Sequence, residues 1–155
     1  PPSDVILLGA VAIERATAPP PLSALDMASR DDISLAGIRL LGHSAYPTGY
    51  AHAPDTPLRP GDALELVLFW QRTGPTPPAA SAAFELRDGR GNRQAIDIAI
   101  GTDAHPPDVW VDQEIVRQVV RVQVGAELWP GRLRLLLQDE GGTWERIGGI
   151  SLEAP

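Results

Sequence analysis

The chain has 155 residues, a formal net charge of −7 and a pI near 4.8. This length fits one ordinary domain, which buries about 68 to 70% of the surface that its unfolded chain would expose. Nucleic-acid binding depends on clustered cations, so an acidic chain whose thirteen cations are scattered arginines argues against nucleic acid as a partner. The absence of cysteine excludes disulfides, thiolate nucleophiles and most structural zinc sites.

Residues 1–32 are predicted to form a first strand and a proline-rich crossing. "VILLGAVAIE" (Val5 to Glu14) is the expected strand, and the crossing "TAPPPLSALDMASRDD" is expected to hold one short helical turn around Leu22 to Met27. No apolar run approaches the roughly 18 residues that span a bilayer, and no signal-peptide pattern is present. Because the chain begins with Pro1, we expect residues 1–155 to be a single domain excised from a longer protein.

Residues 33–155 are predicted to form the main sandwich, because their apolar side chains alternate with a period of two. "ISLAGIRLLG" (Ile33 to Gly42) is predicted as one strand, followed by a long loop over residues 43–62. In the next strand, "ALELVLFWQ", Trp70 shares a face with three leucines and is expected in the core. Phe69 points the other way, toward a face that is either covered by the crossing or open.

The rest of the chain is predicted to contain further hairpins. "DGRGN" separates two alternating segments, a long strand runs around Gln113 to Val124, and "ELWPG" and "DEGG" mark two more turns. About eight short strands separated by Gly, Pro, Asp and Asn turns predict an all-β fold, an antiparallel β-sandwich of the immunoglobulin-like or jelly-roll kind with two sheets.

Several segments resemble a known family. They are "DDISLAGIRLLGHSAY", "PLRPGDALELVLFWQ", "AAFELRDGRGNRQA" and "WVDQEIVRQVVRVQVGAELWPGRLRLLLQDEGGTWERI". Together they look like the accessory C-terminal β-sandwich domain of bacterial membrane glycosyltransferases of the mannosyltransferase type, and of related cell-envelope proteins. The likeness covers most of the chain from Ile33 onward and consists of turns and apolar positions.

The resemblance implies a non-catalytic, extracytoplasmic domain attached to a membrane or cell-surface protein. The parent protein is then a candidate glycosyltransferase whose active site lies elsewhere, and no catalytic residue is carried over to this chain. Two positions depart from the family pattern: Trp129 replaces a small residue or proline, and Leu133 replaces a common tyrosine. These departures bear on any shared binding role of that turn.

Catalytic and metal motifs are weak in this sequence. His43, His52 and His105 lack zinc-binding spacing and are expected to lie in loops. Ser44 lacks a nucleophile elbow and a paired base, although an enzyme using Ser44 or the Asp103 to Asp112 loop remains an alternative. Calcium is the candidate metal, since acidic loops supply its oxygen ligands. The candidate ligands are Asp103, Asp108 and Asp112.

Aromatic residues are the best candidates for ligand binding, because aromatic faces stack on the apolar faces of sugar rings. The candidates are Phe69, Tyr50, Trp110, Trp129 and Trp144, of which the last three lie at strand ends or turns where a ring is half exposed or plugs the sandwich. Our leading hypothesis is a non-catalytic interaction or spacer module, with its parent membrane protein or a glycan as partner. The alternative is a carbohydrate-binding module, with two coplanar rings on one surface as its signature.

Overall fold

The computed structural model describes residues 18–51, 53 and 55–155, and these residues form a nearly all-β structure. Its strands are β1 (Ser29–Leu35), β2 (Ile38–Pro47), β3 (Ala63–Arg72), β4 (Ser81–Arg87), β5 (Arg93–Ala99), β6 (Ile115–Gln123), β7 (Gly131–Gln138) and β8 (Trp144–Leu152). The first sheet has the order β1-β2-β3-β6 and the second the order β5-β4-β7-β8, and every pair is antiparallel. The prediction of a β-sandwich with eight strands in two antiparallel sheets is confirmed.

The core lies between the two sheets, where the alternating side chains of each strand meet. Trp70 is fully buried with its neighbouring leucines, as the period of two predicts, and its ring meets that of Phe84 edge-on, with centroids 6.4 Å apart. Each large apolar side chain buried in this way contributes about 1.5 to 3 kcal/mol to the free energy of unfolding. The fully buried leucines are Leu40, Leu58, Leu64, Leu66, Leu68, Leu86, Leu133, Leu135 and Leu137.

The hairpin predicted around "DGRGN" is formed by β4 and β5, which pair from Ser81 opposite Ala99 to Arg87 opposite Arg93. The later strands also follow the sequence pattern, with β6, β7 and β8 in the predicted segments. Apolar side chains alternate clearly in these segments. Their turns contain glycines in the left-handed conformation, for example Gly91 at φ 91° and Gly142 at φ 84°.

The prediction of one strand from Ile33 to Gly42 is wrong. Ala36 and Gly37 form a tight turn between β1 and β2, with Gly37 at φ 74°. A Cβ on Gly37 would overlap the carbonyl oxygen of Pro75, so this position requires glycine for space as well as for φ. Apolar residues on both sides of the turn hid it from the period-two pattern. The predicted loop over 43–62 is also too long, because β2 continues to Pro47.

The second face of β3 is covered by the proline-rich crossing, one of the two alternatives that the sequence left open. A 3-10 turn at Leu22–Ala24 leads to Leu25 and Met27, which pack against Val67 and Phe69. The crossing ends earlier than predicted, since β1 begins at Ser29. The predicted strand from Val5 to Glu14 lies outside the described residues. In the described part of the chain, no helix is both long and apolar enough to span a membrane.

Candidate functional site

Two of the five predicted aromatic binding residues are buried. Phe69 is 4% exposed beneath the crossing, and Trp110 is 0% exposed. Of the two alternatives predicted for Trp110, the structure shows the buried one. This side chain plugs one end of the sandwich, and its indole Nε1 donates a hydrogen bond of 3.0 Å to the carbonyl of His105. Neither ring presents a face for stacking on a ligand.

The other three aromatic residues do not form one platform. Trp129 and Tyr50 are 51% and 49% exposed, and Trp144 is half-buried. Trp129 lies two residues before β7, whereas Trp144 pairs with Gln138, the last residue of β7. The length of β7 therefore separates the two tryptophans, about 24 Å at about 3.4 Å per residue. Among the described residues, none of these three rings packs against another aromatic ring.

Ser44 and His43 do not form a nucleophile and base. His43 pairs with Leu68 and faces the inside of the sandwich, whereas Ser44 pairs with Val67 and faces the crossing. The Ser44 hydroxyl accepts a hydrogen bond of 2.9 Å from the backbone N–H of Ala28. Strand geometry thus separates the two side chains by the thickness of the sheet.

The prediction that His43 lies in a loop is wrong. His43 belongs to β2, is buried, and has its Nδ1 2.7 Å from a carboxylate oxygen of Asp31, which an irregularity in β1 turns inward. Of the other two histidines, His105 lies in an exposed loop with its Nε2 3.0 Å from a carboxylate oxygen of Glu114, and His52 is outside the described residues.

The predicted calcium ligands are not brought together. Asp103, Asp108 and Asp112 are exposed, and no three acidic, histidine or cysteine side chains gather around a common point in the described residues. The Asp108 backbone carbonyl instead accepts a hydrogen bond of 3.1 Å from Arg72. Calcium binding at this loop has no geometric support from the three carboxylates.

An apolar groove of about 540 Å³ lies at the end of the sandwich that carries Trp129. Val124, Leu128 and Leu152, which are all buried, form its floor, and Pro60, Trp129 and Pro130 form its rim. The β6 to β7 connection, the turn before β3 and the end of β8 therefore build the groove together. We call this surface the Trp129 groove.

Asp88 fixes the backbone of Trp129. The Asp88 carboxylate accepts a hydrogen bond of 2.8 Å from the Trp129 N–H, and further hydrogen bonds from the N–H groups of Arg90 and Asn92 and from the Asn92 side-chain amide. Asp88 is 1% exposed, so four donors serve a buried carboxylate at the end of the β4 to β5 hairpin. The hairpin turn and the Trp129 turn are thereby joined.

These hydrogen bonds set the protonation of Asp88. Burial alone raises the pKa of a carboxyl group, but the hydrogen bonds from Trp129, Asn92 and Arg90 favour the ionised form and lower the pKa of Asp88 from 3.8 to about 2. Asp88 is therefore a carboxylate at neutral pH, and all four bonds are charge-assisted.

Arg90 fixes the indole ring from outside. Its guanidinium carbon lies 3.4 Å from the centre of the Trp129 ring, a cation–π contact. Trp129 is thus an exposed aromatic residue whose backbone and ring are both held, beside an apolar groove. This arrangement is suited to binding an apolar group, because a pre-organised side chain loses little conformational entropy when a partner arrives.

Sequence reasoning named Trp129 but missed Asp88, Arg90 and the groove lining. The "DGRGN" segment predicts a turn, but its aspartate also accepts a hydrogen bond from Trp129, 41 positions away, which local patterns do not reveal. The unusual tryptophan before "PG" was the available signal. No known family model matches the chain, and no curated protein matches its sequence.

Proposed function

We propose that this chain is a non-catalytic interaction module that binds a partner through the Trp129 groove, as an accessory domain of a cell-envelope or membrane protein. The observation that carries the binding role is the exposed Trp129, held by Asp88 and Arg90 at the rim of an apolar groove of about 540 Å³. Binding hot spots are enriched in tryptophan and arginine, and a pre-organised anchor loses less conformational entropy on binding.

The accessory role is supported by where the resembling segments lie. "PLRPGDALELVLFWQ" contributes β3 and "AAFELRDGRGNRQA" the β4 to β5 turn, so the resemblance extends over the strands that build the sandwich. The location outside the cytoplasm and the membrane-protein context are parts of the proposal that depend on this resemblance alone.

A carbohydrate-binding role is the alternative, because an exposed tryptophan also stacks on a sugar ring. Thermal melts with bacterial cell-wall and storage glycans test it. A glycan at a hundred times its dissociation constant adds about 2.7 kcal/mol, which raises Tm by about 5 to 10 °C for a domain of this size. A shift of this kind that Trp129→Ala abolishes would replace the protein-interaction proposal with the carbohydrate one.

The interaction role is tested by photo-crosslinking of the full-length protein in its native cells. A benzoylphenylalanine at Ala126, an exposed residue of the groove, should crosslink to a partner protein. The same residue at Ala95, an exposed alanine of β5, is the matched control. We expect one defined adduct from position 126, its loss with Trp129→Ala, and none from position 95. No adduct from 126, or the same adducts from both positions, would contradict the proposal.

A further inference from the structure

The lining of the Trp129 groove indicates the chemistry of its occupant. Only one lining side chain carries a charge, Glu153, and this carboxylate lies 3.6 Å from the guanidinium of Arg59. A sugar carries hydroxyl groups around its ring, and these lose hydrogen bonds when they enter a surface without polar partners. Aliphatic or proline side chains lose no hydrogen bonds on entering it.

The size of the groove fits several side chains. Its volume of about 540 Å³ lies within the roughly 300 to 1,000 Å³ of ordinary ligand pockets. The three rim residues belong to two connections, and in the described part of the chain the groove between them is open to solvent on one side. An extended peptide can therefore place alternate apolar side chains in the groove and leave its backbone in solvent.

Arg90 adds a charge requirement at one side of this groove. Its guanidinium stacks on Trp129, and no carboxylate of the described residues lies within 4.0 Å of it in an ion pair. The nearby Asp88 carboxylate is already occupied by its four donors. A guanidinium in this position offers a planar set of N–H donors that suits a carboxylate.

We propose that the Trp129 groove binds an extended peptide segment of a partner protein, with apolar side chains in the groove and an acidic residue paired with Arg90. This inference builds on the proposed interaction role and specifies the partner. The complementarity is of two kinds, apolar side chains against Leu128 and Pro130 and an anion against Arg90. The apolar side chains and the acidic residue of the peptide must lie at a fixed spacing, because Asp88 fixes the backbone of both Arg90 and Trp129.

Selection from a displayed library of random twelve-residue peptides tests this proposal on the 155-residue chain. We expect enriched peptides to contain an apolar stretch next to Asp or Glu. Trp129→Ala should weaken binding of the enriched peptides about thirtyfold, as expected for a hot-spot residue. Arg90→Glu should weaken binding of the same peptides on the order of tenfold. When the Arg90→Glu variant is itself the selection target, the enriched peptides should carry Lys or Arg in place of the acidic residue. Thermal melts show that each variant is folded.

The outcomes separate this inference from the proposed function. Groove-dependent peptides without an acidic residue, or peptides that bind Arg90→Glu equally well, would overturn the inference while the crosslinking result stands. Failure to enrich peptides, together with a melting shift caused by a glycan or by vesicles of anionic phospholipid, would overturn it in favour of another occupant. The switch from acidic to basic residues with Arg90→Glu is the result that supports it most directly.

Discussion

The indole N–H of Trp70 donates a hydrogen bond of 3.0 Å to the side-chain oxygen of Gln118. Trp70 is 0% exposed, so this oxygen is what satisfies a polar group at the centre of the core. The amide nitrogen of Gln118 reaches the carbonyl of Ala99 at 2.8 Å, in the opposite sheet. Gln94 of β5 makes the reverse connection, to the carbonyl of Gln123 at 2.8 Å. Two glutamine side chains thus connect β5 and β6, the edge strands of the two sheets on this side of the sandwich.

Gln118→Leu should lower the free energy of unfolding by about 1 to 3 kcal/mol, because the Trp70 N–H then stays buried without an acceptor. Urea denaturation measures the loss. Gln123→Leu, on the exposed face of the same strand, is the matched control. It removes a side-chain hydrogen bond of 2.8 Å to the carbonyl of Gly61 at an exposed site, so it should cost no more than about 1 kcal/mol. In a Trp70→Phe background, which has no N–H to satisfy, Gln118→Leu should cost less. An equal cost in both backgrounds would show that this hydrogen bond contributes nothing.

The fold was more predictable from sequence than the site. Alternation in β3 identified Trp70 as core, and "DGRGN" located the β4 to β5 hairpin, because both signals are local. The turn at Gly37 was missed because two residues interrupt the alternation too briefly. Asp31 with His43 and Asp88 with Trp129 are contacts between different strands and turns, and no local pattern encodes which polar side chains meet.

Asp88 should make stability depend on pH in the acid range. Its folded pKa of about 2 lies below the ordinary value of 3.8 for an aspartate, so folding favours the carboxylate. The resulting stabilisation is fully present above about pH 4 and is lost as the pH falls through about 2. Asp88→Asn cannot ionise, so the difference in unfolding free energy between the wild type and this variant should shrink from pH 5 to pH 2. Denaturation curves that stay equally far apart across this range would contradict the assignment.

The buried pair of Asp31 and His43 should contribute more to the free energy of unfolding than the exposed pair of Asp32 and Arg39. The side chains of Asp31 and His43 are 5% and 3% exposed, whereas that of Asp32, which lies 3.4 Å from Arg39, is 76% exposed. Asp31→Ala should cost about 3 kcal/mol, because it leaves a buried imidazole without its partner. Asp32→Ala should cost less than about 1 kcal/mol.

A double variant separates pairing from packing at the same place. Replacing Asp31 and His43 together by leucine removes both polar groups, so it should recover much of the stability lost in Asp31→Ala. Urea denaturation of the three variants and the wild type supplies the comparison. If the double variant is no more stable than Asp31→Ala, the site requires the shape of the two side chains instead of their pairing.

The turn between β1 and β2 is tested by two alanine substitutions at left-handed glycines. Gly37 and Gly49 have φ of 74° and 89°, so alanine is strained at both. A Cβ on Gly49 meets no atom within 4 Å, whereas one on Gly37 overlaps the Pro75 carbonyl. Gly49→Ala should cost about 1 kcal/mol, and Gly37→Ala about 2 to 4 kcal/mol, because crowding adds to the strain. Equal losses in urea denaturation would mean that the loop at Pro75 yields freely, and that the tight approach is not what makes glycine necessary there.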